Sequence, residues 1–227
     1  MSGDFVAITP QLQDYITSRS TPNDPLLREL IRETAALGSI SVMQIAELQG
    51  TFMGLLVRAI SARRIVEVGT FTGYSAICMA RALPPEGRIL CCDVSDEWTR
   101  IARRYFERAG VTGKIDLRIG PALDTLRALP AEPTFDLGFI DADKRNQGNY
   151  YEEILRRLRP NGLLLIDNTL RGGRVAEPSE RDPDLDAVRE LNDRIPGDPR
   201  VEAVLLPIAD GLTLVRKREA AESGRAG

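Results

Sequence analysis

The chain has 227 residues, a net charge of −3, 43% hydrophobic residues and 28% charged residues. This length and composition fit one large α/β domain of the globular class. The acidic balance argues against a nucleic-acid partner, the apolar runs are too short to cross a membrane, and the N-terminus lacks the basic segment of a secretory signal.

Helical periodicity covers the first 60 residues. Thr9-Pro10 and Asp24-Pro25 are typical of helix starts, and a third helix is predicted over residues 46–59. The residues of this third helix that we expect to face inward are Leu48, Phe52, Leu55, Leu56 and Ala59. Because strand alternation is missing here, we predict a helical cap over residues 1–60 and not an independent domain.

From residue 61 onwards, strand-like apolar runs alternate with helical patterns, which predicts βαβ units and a mostly parallel sheet. The predicted strands are 64–69, 88–94, 114–119, 135–141, 162–167, 201–208 and 212–218. The predicted helices are 74–82, 96–109, 121–128, 147–158 and 184–194. A tight hairpin at Ala209-Asp210-Gly211 should give the sheet an antiparallel last strand. We therefore predict a single domain with a doubly wound core over 61–218 and a frayed tail at 219–227.

The stretch IVEVGTFTGYS, residues 65–75, indicates a buried strand, a glycine turn and a helix start. Its spacing, Gly69-x-x-x-Gly73, lacks the third glycine of a dinucleotide fingerprint. Glu67 would repel a phosphate and favours a cationic, hydroxyl-rich ligand such as S-adenosylmethionine. Ser75 and the helix N-terminus could take the carboxylate of this ligand, and Glu67 its ammonium group. The alternative is an ordinary turn with a surface acid.

The next two strands end in residues suited to a nucleoside. Asp93 lies 24 residues after Gly69, where an acid commonly accepts hydrogen bonds from ribose hydroxyls. Its alternative role is to cap the following helix. Gly120-Pro121-Ala122 has little bulk and would leave room for an adenine ring, although proline at a helix start needs no ligand.

Oxygen ligands follow the fourth and fifth predicted strands. Asp141 ends one strand, and Asp167 and Asn168 end the other. The carboxyl ends of neighbouring parallel strands lie above one crevice, so these side chains should converge. Hard oxygen ligands suit Mg²⁺, with Mn²⁺ or Ca²⁺ as less favoured ions. The alternative is two acids that cap loops and helices.

Two absences limit the chemistry. The sequence has no histidine, so a general base must be Asp, Glu, Lys, Tyr or Cys. Cys78, Cys91 and Cys92 have neither disulfide nor zinc spacing, and they fit buried thiols of a cytoplasmic protein.

The strings VEVGTFTGYS, GPALDTL, FIDADK, DNTLRGG and DPRVEAVLLPIADGLTL resemble the cation-dependent class I O-methyltransferases. The similarity is greatest to the caffeoyl-CoA and catechol O-methyltransferase group, especially its bacterial members. It implies a Rossmann-like class I methyltransferase sheet with helices on both faces and one antiparallel strand near the C-terminus. It also implies S-adenosylmethionine and Mg²⁺ as cofactors, an aromatic vicinal diol as substrate, and a homodimer.

The resemblance assigns roles to individual residues. Lys144 is the implied general base, and Asp141, Asp167 and Asn168 are the implied metal ligands. The implied cofactor contacts are Met43, Ile45, Glu67, Gly69, Thr70, Ser75, Asp93, Val94, Ala122, Asp141 and Asp143. The alternative for Lys144 is a surface lysine paired with Asp143.

The sequence departs from the plant enzymes in the loop after the metal ligands. Arg171 and Gly172 stand where those enzymes have tryptophan and asparagine, which weakens a CoA-ester assignment. Of Tyr150 and Tyr151, we expect one to pack in the core and the other to lie at the edge of the site. The rival functions are a nicotinamide-dependent oxidoreductase and a binding module on a methyltransferase fold.

Overall fold

The computed structural model describes residues 6–219. Its helices are α1 (Pro10–Ser18), α2 (Pro25–Ala35), α3 (Glu47–Ala59), α4 (Tyr74–Ala82), α5 (Asp96–Arg108), α6 (Ala122–Ala128), α7 (Gln147–Arg157) and α8 (Pro183–Arg194). Its strands are β1 (Arg64–Val68), β2 (Arg88–Asp93), β3 (Ile115–Ile119), β4 (Phe135–Ile140), β5 (Leu158–Asp167), β6 (Val201–Leu206) and β7 (Leu212–Lys217). The predicted tail lies outside the described residues apart from Glu219.

The seven strands form one sheet in the order β3-β2-β1-β4-β5-β7-β6. β1 to β5 are parallel, and β7 is antiparallel to both of its neighbours. The strand order reverses at β1, whose neighbours are β2 and β4, and such a reversal opens a crevice at the carboxyl ends of the strands. The predicted fold class, a mostly parallel Rossmann-like sheet with one antiparallel strand, is confirmed.

The position of the antiparallel strand differs from our expectation. We expected it to end the sheet, whereas the edge strand is β6, which runs in the same direction as β1 to β5. The chain passes through α8 to the outer edge, and the tight turn then returns β7 into the gap beside β5. β5 also begins earlier than predicted, because Leu158 pairs with Phe135 across an irregular register.

Two apolar layers cover the sheet. Ile65 points to the layer that contains residues of α2, α3, α4 and α5, whereas Val66 points to the layer that contains residues of α6, α7 and α8. Both side chains are fully buried. This burial on both faces explains the continuous apolar runs of the parallel strands. Leu30 and Met53 belong to the first layer, so the predicted helical cap packs on the core.

The predicted inward face of α3 is right only in part, since Phe52 and Leu56 pack partly buried against the core but are not the most buried residues of the helix. The buried residues of this helix are Gln49, Gly50, Met53, Gly54 and Val57. Of the residues predicted to face inward, Leu55 is 60% exposed. The reason is close packing of α3 on α4, because a Cβ atom at position 50 would lie only 2.7 Å from Cε1 of Tyr74. Glycine therefore occupies the face where we expected leucine.

Within the described chain, residues 38–59 are the one segment that is long and apolar enough to cross a membrane, judged by length and composition only. They form a 3₁₀ helix over Gly38–Met43, a non-helical break and then α3. Since the buried face of α3 packs on α4, this segment is weak evidence for a membrane span.

Candidate active site

A cavity of about 750 Å³ opens at the carboxyl ends of the central strands, next to the reversal of strand order. Every predicted site residue lines it except Glu67. The predicted residues in its wall are Met43, Ile45, Gly69, Thr70, Ser75, Asp93, Val94, Ala122, Asp141, Asp143, Lys144, Asp167 and Asn168. The fold therefore brings together residues from the cap and from five strand ends, and a single enclosed site can use all of them.

Gly69 fixes the floor of this cavity. Its φ angle is +94°, and a Cβ atom there would lie 1.9 Å from the carbonyl oxygen of Asp141. No other residue can bring the ends of β1 and β4 so close together. Gly73 then begins α4 with φ at +89° and without a side-chain cap, which leaves first-turn N–H groups available to an anion.

Glu67 lies beneath the cavity wall and is fully buried. The Ser75 hydroxyl donates a 2.6 Å hydrogen bond to its Oε1, whereas Oε2 has no partner among the described residues. Burial raises the pKa of Glu67 to about 7. An orphaned carboxyl oxygen at this depth fits a cationic group of a ligand. Because Glu67 is absent from the wall, such a contact would pass through water or follow a movement of Ser75.

Asp93 is held by backbone amides. Its Oδ2 accepts hydrogen bonds from the N–H groups of Thr70 and Phe71 at 2.9 and 2.7 Å, and its Oδ1 accepts one from Ser95 at 2.8 Å. Ser95, and not Asp93, caps α5. The carboxylate is thus fixed at the cavity wall, and its remaining lone pairs can accept ribose hydroxyls. The ribose assignment stays a prediction.

The wall beyond Asp93 suits a flat, apolar group. Trp98 meets Phe71 edge to face with ring centroids 5.3 Å apart, and both residues line the cavity. No atom lies within 4 Å of a Cβ built at Gly120. This open position beside Ala122 leaves the space that the sequence predicted for an adenine ring.

Lys144 pairs with Asp141 in the cavity wall. The distance from its Nζ to Oδ1 of Asp141 is 3.2 Å, and the two side chains are only 11% and 16% exposed. The alternative pairing with Asp143 is wrong, because Asp143 accepts hydrogen bonds from the Tyr150 hydroxyl and from Asn146, each at 2.6 Å. Lys144 is therefore a largely shielded cavity residue and not a surface lysine.

Asp141 and Asp167 place two carboxyl groups in one desolvated region. Burial raises the pKa of Asp141 against the opposing charge of Lys144. Burial, together with the charge of Asp141, raises the pKa of Asp167 to about 7. Two carboxyl groups that repel each other when both are ionised would be stabilised in their ionised form by a divalent cation between them.

The residues present fit a hard cation. The candidate ligands are the carboxylates of Asp141 and Asp167 and the amide of Asn168. No cluster of three His, Cys, Asp or Glu side chains suited to a metal occurs within residues 6–219. This all-oxygen set suits Mg²⁺ better than a metal that prefers thiolate or imidazole.

Gln49 is a cavity residue that our reading of the sequence missed. It is fully buried in the cavity wall, and neither its amide oxygen nor its amide nitrogen has a hydrogen-bond partner in the described chain. A buried amide without partners is costly unless a ligand or water bonds it. The only signal in the sequence was a polar residue within the apolar pattern of α3.

The two adjacent tyrosines divide as predicted. Tyr150 lines the cavity and donates to Asp143. Tyr151 is fully buried and donates a 2.9 Å hydrogen bond to Asp198, outside the cavity. The helical periodicity of α7 turns neighbouring residues to different surroundings.

Comparison with known proteins agrees with this geometry. The profile of the O-methyltransferase family matches residues 17–218. The chain belongs to this family. It is 41% identical over 208 residues to a probable caffeoyl-CoA O-methyltransferase 2 from Dictyostelium discoideum, with 90% of each chain covered. It is 42% identical over 209 residues to a catechol O-methyltransferase domain-containing protein 1 from Mus musculus, with 91% of this chain and 79% of the mouse protein covered.

A solved structure has the same fold. The O-methyltransferase from Bacillus cereus, in complex with SAH, superposes with a TM-score of 0.83 at 34% identity, covering 92% of this chain and 97% of the other. The family predicted from the sequence and the enzyme class, an S-adenosylmethionine-dependent O-methyltransferase, are confirmed. This membership decides against the nicotinamide-dependent alternative.

Proposed function

We propose that this O-methyltransferase methylates one hydroxyl of an aromatic vicinal diol in a reaction that depends on Mg²⁺. The observation that carries the proposal is the group formed by buried Asp167 and the partly buried pair Asp141 and Lys144 in the same cavity as the glycine turn. One end of the cavity offers the contacts that S-adenosylmethionine requires, and the other end offers oxygen ligands and an amine. The names of the relatives support an acceptor of the caffeoyl or catechol type.

The donor end supports S-adenosylmethionine for three reasons. The uncapped start of α4 suits its carboxylate, the orphaned oxygen of Glu67 suits its ammonium group, and Asp93 suits its ribose. Met43 and Ile45 complete the wall from the cap. We propose that Thr70, Val94, Ala122 and Asp143 also contact this donor.

The acceptor end supports a diol. Asp141, Asp167 and Asn168 would hold Mg²⁺, which when bound would lower the pKa of a coordinated phenol and hold two vicinal oxygens in place. Lys144 would take the proton of the hydroxyl that reacts, since its Nζ is already fixed in the wall beside Asp141. The resulting phenolate oxygen forms a bond to the sulfonium methyl as the carbon–sulfur bond breaks. Because the negative phenolate and the positive sulfonium neutralise each other in the transition state, the protein contributes to the rate mainly by orienting the reactants and excluding water.

The proposed oligomeric state, partners and location are consistent with an enzyme that acts on small molecules. We propose a cytoplasmic homodimer that acts on small molecules and binds neither nucleic acid nor membranes. The charge of −3 supports the lack of a nucleic-acid partner, and the three free cysteines support a reducing compartment.

A methyl-transfer screen over aromatic diols, with and without Mg²⁺, tests this function. We expect one of the two hydroxyls to be methylated, with activity lost in a chelator and restored by added Mg²⁺. Matched compounds with a single hydroxyl should react poorly, since they cannot chelate. Full activity in the chelator, or equal rates for one and two hydroxyls, would reject the metal-assisted mechanism.

A further inference from the structure

Arg171 is an unpaired cation in a wall where the other charged groups have partners. The cavity wall contains two basic residues, Lys144 and Arg171. Lys144 is paired with Asp141 at 3.2 Å. Within residues 6–219, the Arg171 guanidinium has neither an ion pair nor a hydrogen bond to the protein, and its Nε is buried without a partner.

The acidic groups of the cavity wall do not pair with Arg171. Asp143 accepts from Tyr150 and Asn146, and Asp184 accepts from Arg145 at 2.8 Å. Asp93 and Asp167 accept from backbone N–H groups. Asp210 likewise accepts from the N–H of Gly172 at 2.5 Å. Of the two basic residues in this wall, the partly buried Arg171 with its orphaned N–H is therefore the one that lacks a counterion among the described residues.

The backbone on both sides of Arg171 is fixed. Asp210 accepts the N–H of Leu170 with its carbonyl oxygen at 2.9 Å and the N–H of Gly172 with its carboxylate. The turn between β6 and β7 packs closely here, since a Cβ at Gly211 would lie 2.5 Å from Cγ of Leu170. Arg171 itself has a φ angle of +50°. The backbone of such a clamped loop loses little further entropy when the side chain of Arg171 binds a ligand.

We propose that Arg171 binds an anionic group of the methyl acceptor, and that this residue selects acidic aromatic diols over neutral ones. The inference rests on the function proposed above. Arg171 follows Asn168 by three residues, so its loop leads directly from the end of the cavity that holds the diol. The planar guanidinium matches a carboxylate with two parallel hydrogen bonds. A phosphate of a thioester cofactor attached to the acceptor offers the same oxygen chemistry, and the experiment separates these two sources.

Calorimetric binding to the full chain with S-adenosylhomocysteine and Mg²⁺ tests the inference. The probes are 3,4-dihydroxycinnamate, its neutral primary amide and its CoA thioester. The variants are Arg171→Gln, Arg171→Lys and, as a matched control, Arg181→Gln, whose arginine is 73% exposed and lies outside the cavity wall. We expect the wild type to bind the acid roughly tenfold to a hundredfold more tightly than the amide, as charged hydrogen bonds imply.

The variants then assign the preference. Arg171→Gln should abolish the preference for the acid without weakening binding of the amide. Arg171→Lys should keep part of this preference, and Arg181→Gln should keep all of it. A loss confined to the CoA thioester would also support anion binding and would assign the anion to a phosphate. The inference would be overturned if Arg171→Gln bound both the acid and the CoA thioester as tightly as the wild type does.

The same samples separate this inference from the proposed function. Methyl transfer to the neutral amide by the wild type, with no preference for either the acid or the CoA thioester, would leave the proposed function intact and reject the role of Arg171. A preference for the acid in binding, with no methyl transfer to any of the three diols, would reject the proposed function and support anion recognition by Arg171.

Discussion

At the scale of single residues, Lys144 separates the chemical step from donor binding. Its amine pairs with Asp141, and it has no hydrogen bond to the glycine turn among the described residues. We expect Lys144→Ala to lower kcat by about a hundredfold or more, as loss of a general base does, while the Kd for S-adenosylmethionine changes by less than about threefold. Single-turnover kinetics and calorimetry measure the two quantities.

Lys144→Arg is the control for charge. Arginine keeps the ion pair with Asp141 but cannot accept a proton at neutral pH. We therefore expect this variant to be as slow as Lys144→Ala. Wild-type turnover in the arginine variant would show that Lys144 contributes charge alone, and unchanged turnover in the alanine variant would remove it from the mechanism.

Glu67 links stability to pH. Burial raises its pKa from an ordinary value of 4.5 to about 7. The folded state thus binds the proton more tightly than the unfolded state does, and the stabilisation is complete below pH 4.5 and lost as pH rises through about 7. A shift of this size corresponds to roughly 3 kcal/mol across that range.

The test is Glu67→Gln, which cannot titrate. Urea unfolding at pH 5, 6, 7 and 8 should show a free energy of unfolding that falls less with pH in the variant than in the wild type. The slope is the readout, because the change in hydrogen bonding to Ser75 is the same at every pH. Parallel curves for the two proteins would contradict the raised pKa of Glu67.

Sequence patterns located the wall of the site but not its internal pairing. Asp93, Asp141 and Asp167 were found because each ends a parallel strand, and the carboxyl ends of such strands share one crevice. The partner of Lys144 and the lack of a partner for Arg171 depend on side-chain directions and loop packing, which local patterns do not determine.

At the scale of elements, the contact between α3 and α4 depends on two glycines of unequal importance. A Cβ at Gly50 would lie 2.7 Å from Cε1 of Tyr74 and 3.0 Å from Sγ of Cys78, whereas a Cβ at Gly54 would lie 3.5 Å from the carbonyl oxygen of Cys78. Tyr74 cannot move freely, since its hydroxyl bonds Asn23. Gly50→Ala should therefore destabilise the fold by about 1–3 kcal/mol through overpacking.

Gly54→Ala is the matched control on the same helix. It adds the same methyl group at an ordinary contact distance and gains helix propensity, so we expect a change between zero and about 1 kcal/mol of stabilisation. Equilibrium denaturation measures both variants. Equal destabilisation by the two substitutions would contradict the close approach at Gly50.

The same contact explains what periodicity predicts about elements and what it does not. The strands and the ends of most helices followed from apolar runs and caps, such as Asp24 before Pro25. The inward face of α3 did not, because buried glycines pack against α4 while Leu55 points to solvent. The place of β7 beside β5 depends on the path of the chain through α8 to the sheet edge. The apolar pattern of a strand does not predict which strand it will pair with.

At the scale of the whole molecule, the helical cap exposes several large apolar side chains. Leu55 is 60% exposed, and Val42 and Tyr15 in the same cap are 86% and 58% exposed. A contiguous patch of such side chains would mark an association surface. The edge strand β6 offers a second candidate surface, with Val204 48% exposed. The proposed homodimer therefore requires a test that separates the helical cap from the sheet edge.

Leu55→Glu and Val204→Glu make this test as a matched pair. We expect the wild type to have twice the chain mass by light scattering at micromolar concentration. Leu55→Glu should raise the dissociation constant of the dimer by roughly tenfold or more, because the interface would bury an unpaired carboxylate. Val204→Glu should leave it unchanged. The reverse result would place the dimer interface at β6. A wild-type protein that is monomeric at all concentrations would reject the dimer, and the helical cap would then contribute only to the cavity of its own chain.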